Sequence, residues 1–148
     1  MADTTAHTIE TSWHSDPALA YAILRFTFGV NICFRGVMRI YHGTDGFAAD
    51  LVKQFANAPM PPGPVSAFGH VVPWIEAAIG VLLILGLGTR AALIVGGLMM
   101  ASLTFGTMLL ENFNLAWLQL TYAGFFFLLL AYRSWNVISV DGWREGRL

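Results

Sequence analysis

Long stretches of this chain are almost free of charge, and that property constrains the fold more than any other. No charged residue occurs from Ala91 to Leu110, none from Asn112 to Tyr132, and only Glu76 lies between Lys53 and Arg90. Each stretch contains an apolar run about as long as the ~20-residue helix that crosses ~30 Å of hydrocarbon. With 56% hydrophobic residues, 11% charged residues and a mean hydropathy of +0.61, the chain departs from soluble domains, where roughly a quarter of residues are charged. The sequence predicts an integral membrane protein. Charges inside its spans are costly to keep in lipid, so they mark the first places to look for function.

Other classes are disfavoured by what the chain carries. A net charge of −1 leaves no basic surface for nucleic acid, so none is expected as a partner. The single cysteine, Cys33, permits no internal disulfide, no CxxC redox pair and no thiolate cluster for a metal. The N-terminal MADTTAHTIETSWHSDP has no basic region followed by an apolar run. The expectation is therefore an uncleaved N-terminus, with the first span directing insertion.

One membrane domain over residues 1–148 is predicted, all-α, with four spans near 17–42, 71–87, 91–110 and 115–132. Asp16 would cap span one, with Pro17 at its first position, where a missing N–H costs nothing. Span two ends at the glycines of GLGTR, and the ENFN turn separates spans three and four. The outer loop, 43–70, differs in kind. Phe47, Leu51 and Phe55 recur every four residues, as in a short amphipathic helix lying at the interface. The following APMPPGP reads as an extended stretch that breaks the helix. Arg90, Arg133, Arg144 and Arg147 would share one side of the membrane, against Lys53 and Arg39 on the other. This asymmetry predicts cytoplasmic termini in a bacterial-type inner membrane, with Trp74 and Trp117 at the outer interface.

On span one, Asn31, Arg35, Arg39 and His42 fall within about ±40° of one another on the helical wheel. Arg35 and Glu76 lie at matched depth in adjacent antiparallel spans, so pairing is expected; leaving either in lipid costs ~2.5 kcal/mol or more. Gln119, opposite Trp117 on its helix, would point inward with them. Three readings of this cluster stay open. It is a structural ion pair that fixes helix register, with Arg39 reaching to the interface. Alternatively it is a binding site, in which the arginine forks hold a small oxyanion or a quinone carbonyl and Glu76 accepts a proton from a quinol. The third reading is a metal or haem site using His42 and His70, although these have no ligand spacing and no metal is expected. A second ion pair, Arg25 with Asp141, is expected at the cytoplasmic end. Gly96 and Gly97 would offer a small-residue face for another helix.

ILRFTFGVNICFRGVMRIY, PWIEAAIGVLLILGLGTRAAL and WNVISVDGW together resemble the DoxX family of small four-helix membrane proteins. The resemblance runs from about Leu19 to Gly142, and its matching positions include Arg25, Glu76 and Arg90. It implies a four-helix bundle and, for the best-defined members, the membrane subunit of a thiosulfate:quinone oxidoreductase. The leading expectation is thus a small subunit of a quinone-linked oxidoreductase, with Arg35, Arg39, Asn31, His42 and Gln119 around the ligand and Glu76 handling the proton. No cofactor is expected to be covalently bound, so any redox step would use a diffusible quinone or a partner's cofactor. The alternative is a non-catalytic anchoring subunit of a larger respiratory or photosynthetic complex. In either case the expected partners are lipid and either other membrane subunits or a second copy of the chain.

Overall fold

The computed structural model describes residues 13–147; residues 1–12, which carry most of the N-terminal segment discussed above, lie outside the described residues. Among the described residues every regular element is helical. In order they are α1 (Asp16–Tyr41), α2 (Thr44–Gln54) running into a 3-10 turn at Phe55–Asn57, α3 (Pro62–Leu85), α4 (Thr89–Leu109), α5 (Phe113–Ala131), a 3-10 turn at Arg133–Trp135, and α6 (Val140–Arg144). Among the described residues, α1, α3, α4 and α5 are long and apolar enough to cross a membrane. The protein is a multi-pass helical bundle.

Local chemistry sets the boundaries. The cap of α1 falls on Ser15, one residue earlier than expected, and Asp16 sits in the first turn, where a negative charge complements the helix dipole. Gly43, at φ 93, makes the sharp exit from α1 that only glycine adopts easily. The Pro-rich stretch corrects the sequence reading. It starts α3 rather than preceding it, so this helix begins at Pro62, well before the expected 71, with Pro61 as its cap. Proline in a first turn loses no hydrogen bond, because those N–H groups have no partner in the helix. At the other end Gly86 is left-handed. Leu87 N–H bonds Leu82 O and Gly86 N–H bonds Leu83 O, closing α3 in a Schellman motif.

Two helix pairs build the bundle. α1 packs on α3 along a seam of small residues, with Gly36 against Ala77 and Pro73, and Gly80 against Cys33. Without a hydrophobic drive between helices in lipid, such close backbone approach holds them together. α4 packs on α5 with Phe126 lying over Gly96, whose missing side chain leaves room for the ring. Gly96 is therefore packed within the chain, contrary to the sequence expectation that it offers a face to a further helix. Phe28, Ile32, Ile79, Leu83, Leu93, Met100, Phe126 and Leu129 form the buried centre. Ile23, Phe34, Leu98, Phe127 and Trp117 point outward, as suits a surface facing lipid. α2 lies against α3 across one end, at a contact so close that a methyl on Gly69 would stand 2.7 Å from Ala48 Cα.

Candidate functional site

Arg35 and Arg39 stand one turn apart on α1 and face Glu76 of α3, whose side chain is 0% exposed. The close partner is Arg39, with its Nη1 2.5 Å from Glu76 Oε2. Arg35 Nη1 is 3.9 Å from Oε1, an ion-pair distance too long for a hydrogen bond. Arg39 thus bonds the carboxylate rather than merely reaching to the interface, and the expected Arg35–Glu76 pair is the looser of two. Glu76 Oε1 is buried with no hydrogen-bond partner. Each guanidinium also lies over an aromatic face, Arg35 at 4.5 Å from the Tyr122 centroid and Arg39 at 4.4 Å from that of Phe47. Such stacking holds a cation beside apolar walls.

These groups line a cavity of about 550 Å³ between the two helix pairs, covered at one end by α2. Much of its wall is apolar, with Phe47, Leu51 and Phe55 from the α2 region and Phe68 and Leu103 from α3 and α4, and Gln54, Ser102 and Thr107 add polar groups. Gln119 is buried in the same wall, where Thr107 Oγ1 donates to its Oε1 at 2.7 Å. Phe105 and Leu118 line the cavity and are also exposed on the outer surface of the bundle.

Of the residues singled out in the sequence, Arg35, Arg39, Glu76 and Gln119 meet here. Asn31 does not line the cavity and joins it indirectly, accepting from Tyr122 Oη at 3.0 Å. His42 caps the exposed end of α1, off the cavity, with its ring against Tyr41. His70 faces Asp45 at 2.9 Å and so ties α3 to α2. Among the described residues no group of three or more His, Cys, Asp or Glu could hold a metal. Tyr122 was missed, although its spacing of three from Gln119 places it on the same helix face.

The opposite end is built differently. Arg25, 4% exposed, donates to the carbonyls of Leu83 and Ile138, beneath Gly86, where any side chain would collide with it. Asp141 accepts from Gly88 N–H and Thr89 N–H, both at 2.8 Å, and Asn136 Nδ2 donates to Thr89 Oγ1. Among the described residues Arg25 and Asp141 form no ion pair. Each is bonded by backbone groups that the turn after α3 and the C-terminal tail bring to it. Burial pushes the Asp141 carboxyl up, but the Thr89 and Gly88 N–H bonds outweigh this and hold it below its ordinary value.

A family model described as Methylamine utilisation protein MauE matches residues 17–116, from α1 to the first turn of α5. No curated protein and no solved structure matches the chain. The matching family is a different membrane family from DoxX, which overturns the resemblance read from the sequence and the thiosulfate activity it implied. The misleading segments have a structural explanation. Gly86, the GTR turn and Ser139–Asp141 build the closed end, a device for joining helices that specifies no substrate.

Proposed function

The chain belongs to the MauE family of methylamine utilisation proteins, and we propose that it is the membrane-embedded component of a redox enzyme system, holding a quinone-class head group beside Glu76. The family is linked to methylamine dehydrogenase maturation or electron transfer, which supports a membrane role next to a redox partner, either another subunit or a larger assembly. The chain has a single cysteine, so it does not itself supply a dithiol pair.

The observation that carries the ligand reading is Glu76. A buried polar atom without a hydrogen-bond partner is costly, and Glu76 Oε1 is one, on a residue that lines the cavity together with Arg35. The volume suits a small ring with the start of an apolar tail, and the exposed apolar lining at Phe105 and Leu118 suits a molecule dissolved in the bilayer. The arginine asymmetry supports cytoplasmic termini and an outward-facing α2 end. With Cys33 replaced by Ala, a cysteine at Ala58 should then label from the outer face and one at Gly146 should not.

The binding test uses purified chain in lipid nanodiscs and a short-tailed benzoquinone. Saturable binding is expected, weakened at least about tenfold by Arg35→Met, the loss of one charged hydrogen bond. Binding that is unaffected by this substitution would place the ligand elsewhere.

A further inference from the structure

We infer that the cavity selects the hydroxyl-bearing, reduced form of such a head group over its carbonyl form. This rests on the reading of the cavity as a quinone-class site and adds which oxidation state it recognises.

Donors and acceptors decide the selectivity. Arginine can only donate, and a carboxylate can only accept. Arg39 Nη1 and Glu76 Oε2 satisfy one another at 2.5 Å. What remains is complementary but not joined: Oε1 needs a donor, and Arg35, which makes no hydrogen bond among the described residues, needs an acceptor. The two stand 3.9 Å apart. Oε1 is fully covered, so the partly exposed Arg35 side chain has to turn aside to admit a hydroxyl that donates to Oε1 and accepts from the guanidinium. A phenolic O–H does both. A quinone carbonyl only accepts, so it would leave Oε1 unpartnered and set a second electron-rich oxygen beside it.

The hydroxyls of the polar wall are engaged elsewhere, Ser102 Oγ donating to Leu98 O. The Thr107 hydroxyl is directed at Gln119 Oε1, and the Tyr122 hydroxyl donates to Asn31 Oδ1. The ring itself would lie among Tyr122, Phe47 and Phe68, which accept either oxidation state equally. Discrimination therefore falls on Glu76 Oε1 and Arg35, making them specificity-determining residues.

The test compares three probes that share one short alkyl tail: a hydroquinone, its dimethyl ether, and the matching benzoquinone. Affinity for the full chain in nanodiscs is measured without oxygen. The hydroquinone is expected to bind at least about tenfold more tightly than either of the others, the cost of one buried unmade hydrogen bond. In Glu76→Gln the side chain also donates, so the preference for hydroquinone over benzoquinone should fall to about twofold or less. The comparison with the ether uses the unaltered chain and so does not depend on how the variant folds. Equal affinity for all three would overturn this inference while leaving the cavity as a binding site. No binding of any of them would overturn both. Tighter binding of the benzoquinone would reverse the assigned selectivity.

Discussion

At one end of the bundle Arg25 places its guanidinium on backbone carbonyls, Leu83 from the end of α3 and Ile138 from the C-terminal tail. At the other end Arg35 and Arg39 share one carboxylate and face an apolar cavity. All three arginines sit on the same helix and enter the same membrane. Arg25 is closed in by the tail folded over it, and its bonds hold segments distant in sequence together. The α2 end has no such tail, and its polar groups are left short of one partner. Burying a charge is expensive in both places. Where chain segments supply the hydrogen bonds, the result is a lock. Where they do not, the shortfall becomes a site.

The largest effect that would sharpen this contrast is on Glu76. Replacing it with Ala leaves Arg39 and Arg35 facing apolar walls, and the expected loss is about 3–5 kcal/mol of stability in mixed micelles. A loss below about 1 kcal/mol would mean that the arginines find water or lipid headgroups instead.

Next in size is the difference between the two pairs. In double-mutant cycles the Arg39–Glu76 coupling should reach about 2 kcal/mol, within the range of groups that share one network. The Arg35–Glu76 coupling should stay below about 1 kcal/mol, since the 3.9 Å separation admits no hydrogen bond. The reverse order would show Arg35 to be the structural partner and remove its role toward a ligand.

A smaller effect belongs to the locked end. Asp141→Ala should cost about 1 kcal/mol, as loss of a capping carboxylate does. The Asp141 carboxyl titrates below its ordinary value of 3.8. Its contribution is therefore full above about pH 4 and fades as the pH falls through the lower folded value. Acid titration of Asp141→Asn should lack this step; an unchanged acid profile would show that the carboxylate does not hold the turn.

What could be read in the sequence follows from how far each cause reaches along the chain. The spans were legible because absence of charge over some twenty residues is a local property. The meeting of Glu76 with Arg35 was legible from matched depth alone. Which arginine comes closer was not, because that depends on how α1 lies on α3 where Gly36 meets Ala77 and Pro73. The start of α3 was misread because proline breaks a helix in its interior but is tolerated in its first turn. The Arg25 lock was out of reach for a different reason. Its acceptors are carbonyls 58 and 113 residues away, and a carbonyl leaves no signature in the identity of its residue. The Arg25–Asp141 pair guessed from charge named the right neighbourhood but not the partners.

The claim that one end is a lock and the other a site is tested most directly by exchanging the readouts. Arg25→Met and Arg35→Met are prepared in nanodiscs, and each is measured for stability without ligand and for added stability with the short-tailed hydroquinone. Arg25→Met should lose about 3 kcal/mol of stability, the scale of a charged hydrogen-bond set, yet gain as much from the ligand as the unaltered chain does. Arg35→Met should keep its stability within about 1 kcal/mol and gain little or nothing from the ligand. If the two substitutions reduce stability and ligand response in parallel, the two ends are not distinct in kind and the account is wrong.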